Sequence, residues 1–355
     1  MPREVIVIGA GIIGASIAWH LAKAGAKVTI LDKAEPGGVA TPCSFGWINA
    51  SFGNPEPYYR LRIRAMAEWK RLAAEVPNLP VRWQGGLCWD RPRSELETLG
   101  AEHSSWGYGV RKLGRDEVAR IEPNLADPPD FALLVAEEGA AEPQASARML
   151  VIDAQRHGAR LIAGGEAIAL HAGGANRARV ETNDGILEAD EIVLAAGGAS
   201  ADLAASSGVS LPMKTPPGLL VHSRPYAPLL NGLVMADRLH MRQTAEGRLV
   251  AGADYGGADP GPNAEATARR LFDTMRSMLE GAGALEYDSY TLGFRPTPLD
   301  GFPALGRPKG MENLYVAVTH SGVTLAPAIG LFAAQEILDG IRDPLLAPYR
   351  ADRFD

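Results

Sequence analysis

The sequence predicts an α/β protein in two parts, a parallel sheet wrapped by helices and a second, mixed β-sheet beside it. Three observations carry this reading. The N-terminus runs strand, glycine turn, helix and strand in quick succession. A further apolar strand, Ile192 to Ala196, returns far down the chain and ends in small residues. After Pro212 the composition turns β-rich, with a hairpin where a helix would otherwise follow.

Taken in order, Val5 to Ile8 is a short continuous apolar run, as a central parallel strand requires. Gly9, Gly11 and Gly14 then give G-x-G-x-x-G, a helical pattern continues through Ala24, and Gly25 ends it. "KVTILD" supplies the second strand, which closes on Asp32 with Lys33 beside it. Gly9 allows the tight turn, Gly11 lets backbone approach a pyrophosphate, and Gly14 lets helix pack on strand. Ile12 and Ile13 open the helix, offering free N–H groups at its positive dipole end. Asp32 stands where a carboxylate takes ribose hydroxyls. The unit is Rossmann-like and binds a dinucleotide.

Glu35 to Asn54, rich in Gly, Pro, Ser and Asn, reads as a long loop directly after the ribose-binding strand. Its backbone is placed to line pyrophosphate and flavin, with Ser44, Gly46 and Asn49 as contacts. Cys43 is read as a small buried thiol in preference to a covalent flavin anchor. "PYYRLRIRAMAEWKRLAAEV" follows as an amphipathic helix whose Arg and Lys are expected to be solvated. Between Val81 and Glu138 the pattern is mixed, with "VRWQGGLCWD" strand-like and "GRDEVARIEP" a short helix. A helix around Gln144 to Arg160 returns the chain to the nucleotide part, and Leu161 to Val180 reads as strand, break and strand. There the Ala167 backbone meets the adenine half of the cofactor. The strand Ile192 to Ala196 breaks at Gly197-Gly198, the arrangement flavoproteins use near FAD, which makes Ala196 and Gly197 contacts. No second G-x-G-x-x-G offers a place for NAD(P)H, so the electrons come from the substrate.

"LHMRQTAEGRLVAGADYGG" is the clearest hairpin, with strands Leu239 to Gln243 and Arg248 to Ala253 about a turn at Ala245-Glu246-Gly247. Alternation puts His240 and Arg242 on one face, either lining a cavity or at its rim. "GFRPTPLDGFPALG" suits neither helix nor inner strand and fixes Arg295 between Phe294 and Pro296. Leu314 to Val318 is a strand, Thr319 to Gly322 a turn, and Thr324 onward a helix to Gly340. Gly322, Val323 and Thr324 present that helix's N-terminus to the flavin's pyrimidine edge. His320 either points into the cavity or is a hinge residue bonded to backbone.

Composition excludes several classes. At 355 residues the chain is long enough for roughly two domains. A net charge of −7 argues against a nucleic-acid surface, and no apolar run reaches the roughly 18 residues of a membrane span. The N-terminus enters a strand at once, and Cys43 and Cys88 form no CxxC pair, which together point to the cytoplasm and to no metal site.

"VIVIGAGIIGASIAWHLAKAGAKVTILD", "IVLAAGGAS", "FRPTPLDGFPALG" and "THSGVTLAPAIG", in that order, resemble the FAD-dependent amino-acid oxidase family, which includes glycine oxidase, D-amino-acid oxidase and sarcosine oxidase. The resemblance implies a discontinuous FAD-binding domain over 1–80, 140–210 and 296–355, with a substrate domain over 81–139 and 211–295. It implies that Arg295 grips a substrate carboxylate, a planar fork meeting a planar anion; the alternative is a structural pair with Asp300. His320 stands near the place of a second arginine in glycine oxidase, Thr324 near that of a lysine in sarcosine oxidase, and His240 near that of a substrate tyrosine. The covalent members' cysteine near the Arg295 segment is absent, so FAD is expected to be non-covalent. The implied reaction passes hydride from a small amino acid or N-substituted glycine, such as sarcosine or iminodiacetate, to flavin N5. The imine hydrolyses to an oxo acid and an amine, and O2 is reduced to H2O2. The alternative is a D-amino-acid dehydrogenase passing electrons to a quinone or partner protein. Arg242 and His240 beside Arg295 favour a secondary amine with an extra carboxylate.

Overall fold

Five parallel strands form the centre of the first sheet in a computed structural model that describes residues 1–173, 177–254 and 257–354. Their order is Leu314–Val318, Glu191–Leu194, Glu4–Ile8, Lys27–Asp32 and Arg160–Ala163, with Ala304–Gly306 antiparallel on the Leu314 edge. Val5, Ile6, Val7 and Ile8 are all buried, as expected of a strand covered on both faces. On one face lie the helices Ile12–Lys23, Pro143–Arg156 and Gly322–Asp339. The first and last of these touch closely where Gly330 meets Ser16, whose hydroxyl donates to the Ala326 carbonyl at 2.8 Å. The Leu161–Val180 stretch divides between the edge strand Arg160–Ala163 and a small antiparallel sheet of Ala167–His171, Ala178–Thr182 and Gly185–Ala189. Residues 174–176 of that stretch lie outside the described residues.

The second sheet has eight strands among the described residues, in the order Tyr287–Phe294, Pro217–Ser223, Leu249–Gly252, His240–Gln243, Leu233–Ala236, Gly86–Trp89, Phe131–Val135 and Val110–Gly114. Met241, Val234, Leu249, Ala251 and Val221 pack on Phe272 and Met275 of the helix Ala264–Ser277. The opposite face, with Met235, Leu233, Cys88 and Val135, joins the core under the first sheet's helices. The hairpin alternation therefore holds: Met241 points away from the nucleotide part, and His240 and Arg242 point towards it.

The proline-rich run is more regular than its composition suggests. Pro217 pairs with Phe294 in one ladder and Lys214 with Thr297 in another. Between and beyond them the Arg295 N–H donates to the Pro216 carbonyl at 3.1 Å, and the Leu299 N–H to the Pro212 carbonyl at 3.0 Å. The two ladders keep one register, so residues 212–222 and 289–299 form a single antiparallel ribbon on the sheet's edge. Directly opposed residues share a face. Lys214, Thr297 and Arg295 therefore lie on one side, and Met213 and Pro298 on the other, where Met213 packs against the core of the first sheet.

A second correction concerns the helix Glu56–Glu75. Arg60 and Arg64 are solvated as expected, but Arg62 is only 7% exposed.

Candidate functional site

The first sheet's strands end together at Ile8, Asp32, Ala163, Leu194 and Val318, and the crevice beyond their carboxyl ends is where an α/β sheet holds its ligand. Gly9 turns the chain at φ +102°, where an added Cβ would crowd the Ala195 carbonyl and stand 3.2 Å from Ala196 Cα. A Cβ on Gly14 would come within 2.9 Å of the Gly9 carbonyl carbon. On Gly11 it would face inward at 3.3 Å from Thr41 Oγ1. The helix from Ile12 has no side-chain cap on its Gly11 N-cap, and the Ile12 N–H donates to Thr41 Oγ1 at 3.1 Å. The Ile13 and Gly14 N–H groups, in the first turn, have no intrahelical acceptor. The Asp32 carboxylate is aimed by two backbone donors, Ala10 N–H at 2.6 Å and Ala34 N–H at 2.9 Å, leaving lone pairs for ribose hydroxyls. Lys33 reaches Glu166 at 3.7 Å, which sets it beside Ala167. Gly197, at φ +59°, is part-buried just beyond the end of the strand Glu191–Leu194. The uncapped helix N-terminus, the close glycine turn and the aimed Asp32 carboxylate are the groups that a pyrophosphate and ribose require.

A second helix N-terminus converges on the first. Gly322 lies against Ile12 and Ile13, its Cβ position 3.7 and 3.6 Å from their side chains. The helix it opens has no side-chain cap either. Val323 and Thr324 present backbone N–H groups there, while their other polar groups are engaged: Val323 accepts from Trp69 Nε1 at 2.8 Å, and the Thr324 hydroxyl donates to the Trp47 carbonyl at 3.0 Å. Thr324 thus takes no part as a free hydroxyl.

The loop facing these termini is held from behind. Arg62 donates to both the carbonyl and the side-chain oxygen of Asn49, at 3.0 and 2.6 Å, and to Ser321 Oγ at 3.0 Å. Its guanidinium lies 5.4 Å from the centre of the Tyr58 ring. Glu138, fully buried, accepts from Trp47 Nε1 at 2.8 Å and from the Ser51 and Tyr108 hydroxyls. Burial raises its carboxyl to about 7 against those hydrogen bonds. Asn49 is therefore a brace, its carbonyl and side-chain oxygen both taken by Arg62. Ser44 Oγ accepts from the Gly46 N–H at 3.3 Å. Gly46 itself is packed between Ala141 and Arg242. Cys43 is half-buried against Gly293, with its thiol bonded to Thr291, and burial pushes the thiol up, keeping it protonated and unreactive.

The four candidate substrate residues separate sharply. Arg242 is 3% exposed and donates to both Glu142 oxygens, at 2.9 and 3.1 Å, and to the Phe45 carbonyl at 2.6 Å. His240, equally buried, lies 3.5 Å from Asp90. His320 bonds to Ser321 Oγ at 3.2 Å and to the Gly301 backbone. Burial, then the charges of Arg62 and Arg295, lower it to about 4, so its imidazole is neutral at physiological pH. These three face the crevice side, yet their polar atoms are committed to protein partners. Arg295 is different. Asp300, its alternative partner, pairs instead with Arg353 at 2.8 and 3.1 Å. Among the described residues no carboxylate lies within ion-pair distance of Arg295, and its buried Nε has no hydrogen-bond acceptor.

Sequence reasoning missed Thr41, Arg62 and Glu138. Thr41 and Glu138 carry no periodic signal. Arg62 does, since it falls on the stripe Tyr58, Ala65, Trp69 and Leu72 that the helix buries. The described residues hold no cluster of metal-ligating side chains, and no described helix is long and apolar enough to cross a membrane.

Comparison with known proteins bears on the same crevice. The family profile described as DAO, FAD dependent oxidoreductase, matches residues 4–336. A glycine oxidase of Bacillus licheniformis is 28% identical, with the alignment covering 99% of this chain and 97% of that protein. The crystal structure of glycine oxidase from Geobacillus kaustophilus superposes with a TM-score of 0.88 at 26% identity, over 99% of both chains. Iminodiacetate oxidase from Chelativorans sp. BNC1 gives 0.83 at 26% identity, over 98% of both.

Proposed function

Because the chain belongs to the DAO family of FAD-dependent oxidoreductases, we propose that it oxidises the C–N bond of a small amino acid or N-substituted glycine whose carboxylate Arg295 holds. One observation carries this reading: Arg295 is the candidate cation whose guanidinium, part-buried beside the crevice, has no acid to answer it among the described residues. A planar fork so placed offers two parallel N–H donors to a carboxylate. The names of the similar proteins agree in chemistry, since glycine and iminodiacetate are both amino acids.

The chemistry FAD supplies when bound is acceptance of the α-hydride and return of both electrons to O2, giving H2O2. The chain's own residues bind and orient. Thr41, the helix from Ile12 and Asp32 would hold the phosphates and ribose, with the Lys33–Ala167 corner at the adenine. The uncapped N-terminus of the helix from Gly322 would offer its positive end to the flavin. Arg295 fixes the carboxylate, and with it the direction of the α-hydrogen, so that positioning supplies much of the rate. Neutral His320 adds no charge of its own and holds the Gly301 turn in place. Arg242 and His240 act through others, Arg242 by fastening the Phe45 carbonyl of the cofactor loop. Water then hydrolyses the imine to an oxo acid and an amine. The same reading assigns 1–80, 140–210 and 296–355 to the cofactor part and 81–139 with 211–295 to the substrate part.

Anaerobic mixing of the flavoprotein with D-, L- and N-alkyl amino acids tests it. At least one should bleach the flavin, and turnover in air should release peroxide in step with substrate. If bleaching occurs but dyes are reduced while oxygen is not, the acceptor assignment fails. Should Arg295→Met bind substrate normally, the carboxylate assignment fails.

A further inference from the structure

With Arg242 answered by Glu142 and His240 by Asp90, neither can receive a second anionic group of a substrate. The edge ribbon supplies another cation. Lys214 is directly opposed to Thr297, and the unbroken register sets it diagonally from Arg295 on the same face. Diagonal neighbours across an antiparallel pair stand about 7–8 Å apart, within reach of long side chains. Lys214 is exposed, and among the described residues it too has no carboxylate within ion-pair distance. The charges of Arg295 and Lys214 both bear on the His320 ring, so both cations border the same stretch of crevice wall. The nearest acid in the run, Asp300, is held by Arg353 and leaves this pair unbalanced.

We propose that Lys214 and Arg295 form a two-point anion clamp and that the substrate is a secondary amine carrying two acidic groups, an N-carboxyalkyl amino acid. This rests on the reading of Arg295 given above and narrows it. Arg295, part-buried and planar, takes the α-carboxylate bidentately. Lys214, a mobile point charge at the rim, takes the distal carboxylate and tolerates some variation in its distance. A substrate with one carboxylate leaves Lys214 in water at little penalty, so the clamp selects by added affinity for the diacid and not by exclusion of the monoacid.

Two thioethers that lack the oxidisable amine separate the contributions: methylthioacetate with one carboxylate and thiodiacetate with two. Each is titrated into the FAD-loaded enzyme while the visible flavin spectrum is followed. Thiodiacetate should bind on the order of tenfold more tightly than methylthioacetate, the effect of one charge-assisted contact. Lys214→Gln should erase that preference while leaving methylthioacetate within about twofold, Lys214→Arg should keep it, and Arg295→Met should weaken both ligands. An equal preference in wild type and Lys214→Gln, or none in wild type, overturns the clamp while Arg295's role stands. If neither thioether perturbs the flavin and no amino acid bleaches it, the underlying reading of the site falls as well, and the clamp with it.

Discussion

Replacing Arg62 by Met probes the brace behind the cofactor loop. Methionine keeps an unbranched apolar stem of similar length, so the packing against Tyr58 is largely retained and the polar head is what is lost. Three hydrogen bonds disappear: two to Asn49 at 3.0 and 2.6 Å, and one to Ser321 at 3.0 Å. Ser321 Oγ keeps His320, and the Asn49 side-chain oxygen keeps the Ser51 N–H at 3.2 Å. The buried Asn49 carbonyl loses its charged donor. One buried acceptor left short, together with the lost charge-assisted bonds, amounts to about 2–4 kcal/mol. Arg62→Lys restores a charge but not the fork, and should recover less than half of this. Urea unfolding of the FAD-free protein, with unchanged slope, measures the change. A loss below about 1 kcal/mol for Arg62→Met would show that the network is not holding the loop, and the account of Asn49 as a brace would be withdrawn.

Gly14→Ala should abolish FAD retention and lower stability by several kcal/mol, because the new methyl meets the Gly9 carbonyl and both groups are backbone-fixed; normal flavin content after purification would refute this. Arg242→Met should loosen FAD, through the Phe45 carbonyl and the stranded Glu142, without abolishing binding of methylthioacetate to the flavin-loaded fraction, whereas Arg295→Met should do the reverse. Acid should destabilise the fold. His20, His222 and His320 are each lowered to about 4, chiefly by burial, so the unfolded chain takes up protons first as pH falls. The stability they contribute is complete above about 6.5 and lost on the way to 4, each by at most about 1.4 kcal/mol per pH unit. Glu138, raised to about 7, works in the opposite direction, losing stability as pH rises from 4.5 to 7. His103 is lowered as well, and Glu122 and Glu191 are raised. Between pH 7.5 and 5.5, however, the three most strongly lowered histidines outweigh Glu138, so unfolding at pH 5.5 should need less urea than at 7.5. Equal or greater stability at 5.5 would mean that these histidines are not buried neutral.

What could be read from sequence was whatever depends on local spacing. The glycine turn, the acid at the end of the following strand and the returning strand near Ala196 follow from the geometry of one βαβ unit. The placement of His240 and Arg242 on a common face needed only the two-residue period of a strand. Their fate did not follow, because Glu142 and Asp90 come from elements far away in the chain, and no periodicity announces that a charge will be met. Arg295 stayed open for the same reason: only the fold shows Asp300 turned to Arg353. Arg62 was legible and overlooked, a cation on an otherwise apolar stripe where burial should have been expected.

In the edge ribbon the two strands that run between the first sheet and the second are hydrogen-bonded to each other. The bonds from Arg295 to Pro216 and from Leu299 to Pro212 both cross between these strands, so Arg295 stands on paired backbone and not on a single-stranded loop. Its backbone is ordered before any ligand arrives, and little ordering of it remains to oppose binding there. With Arg295 in its proposed role, such a site would discriminate by fit to backbone already in place.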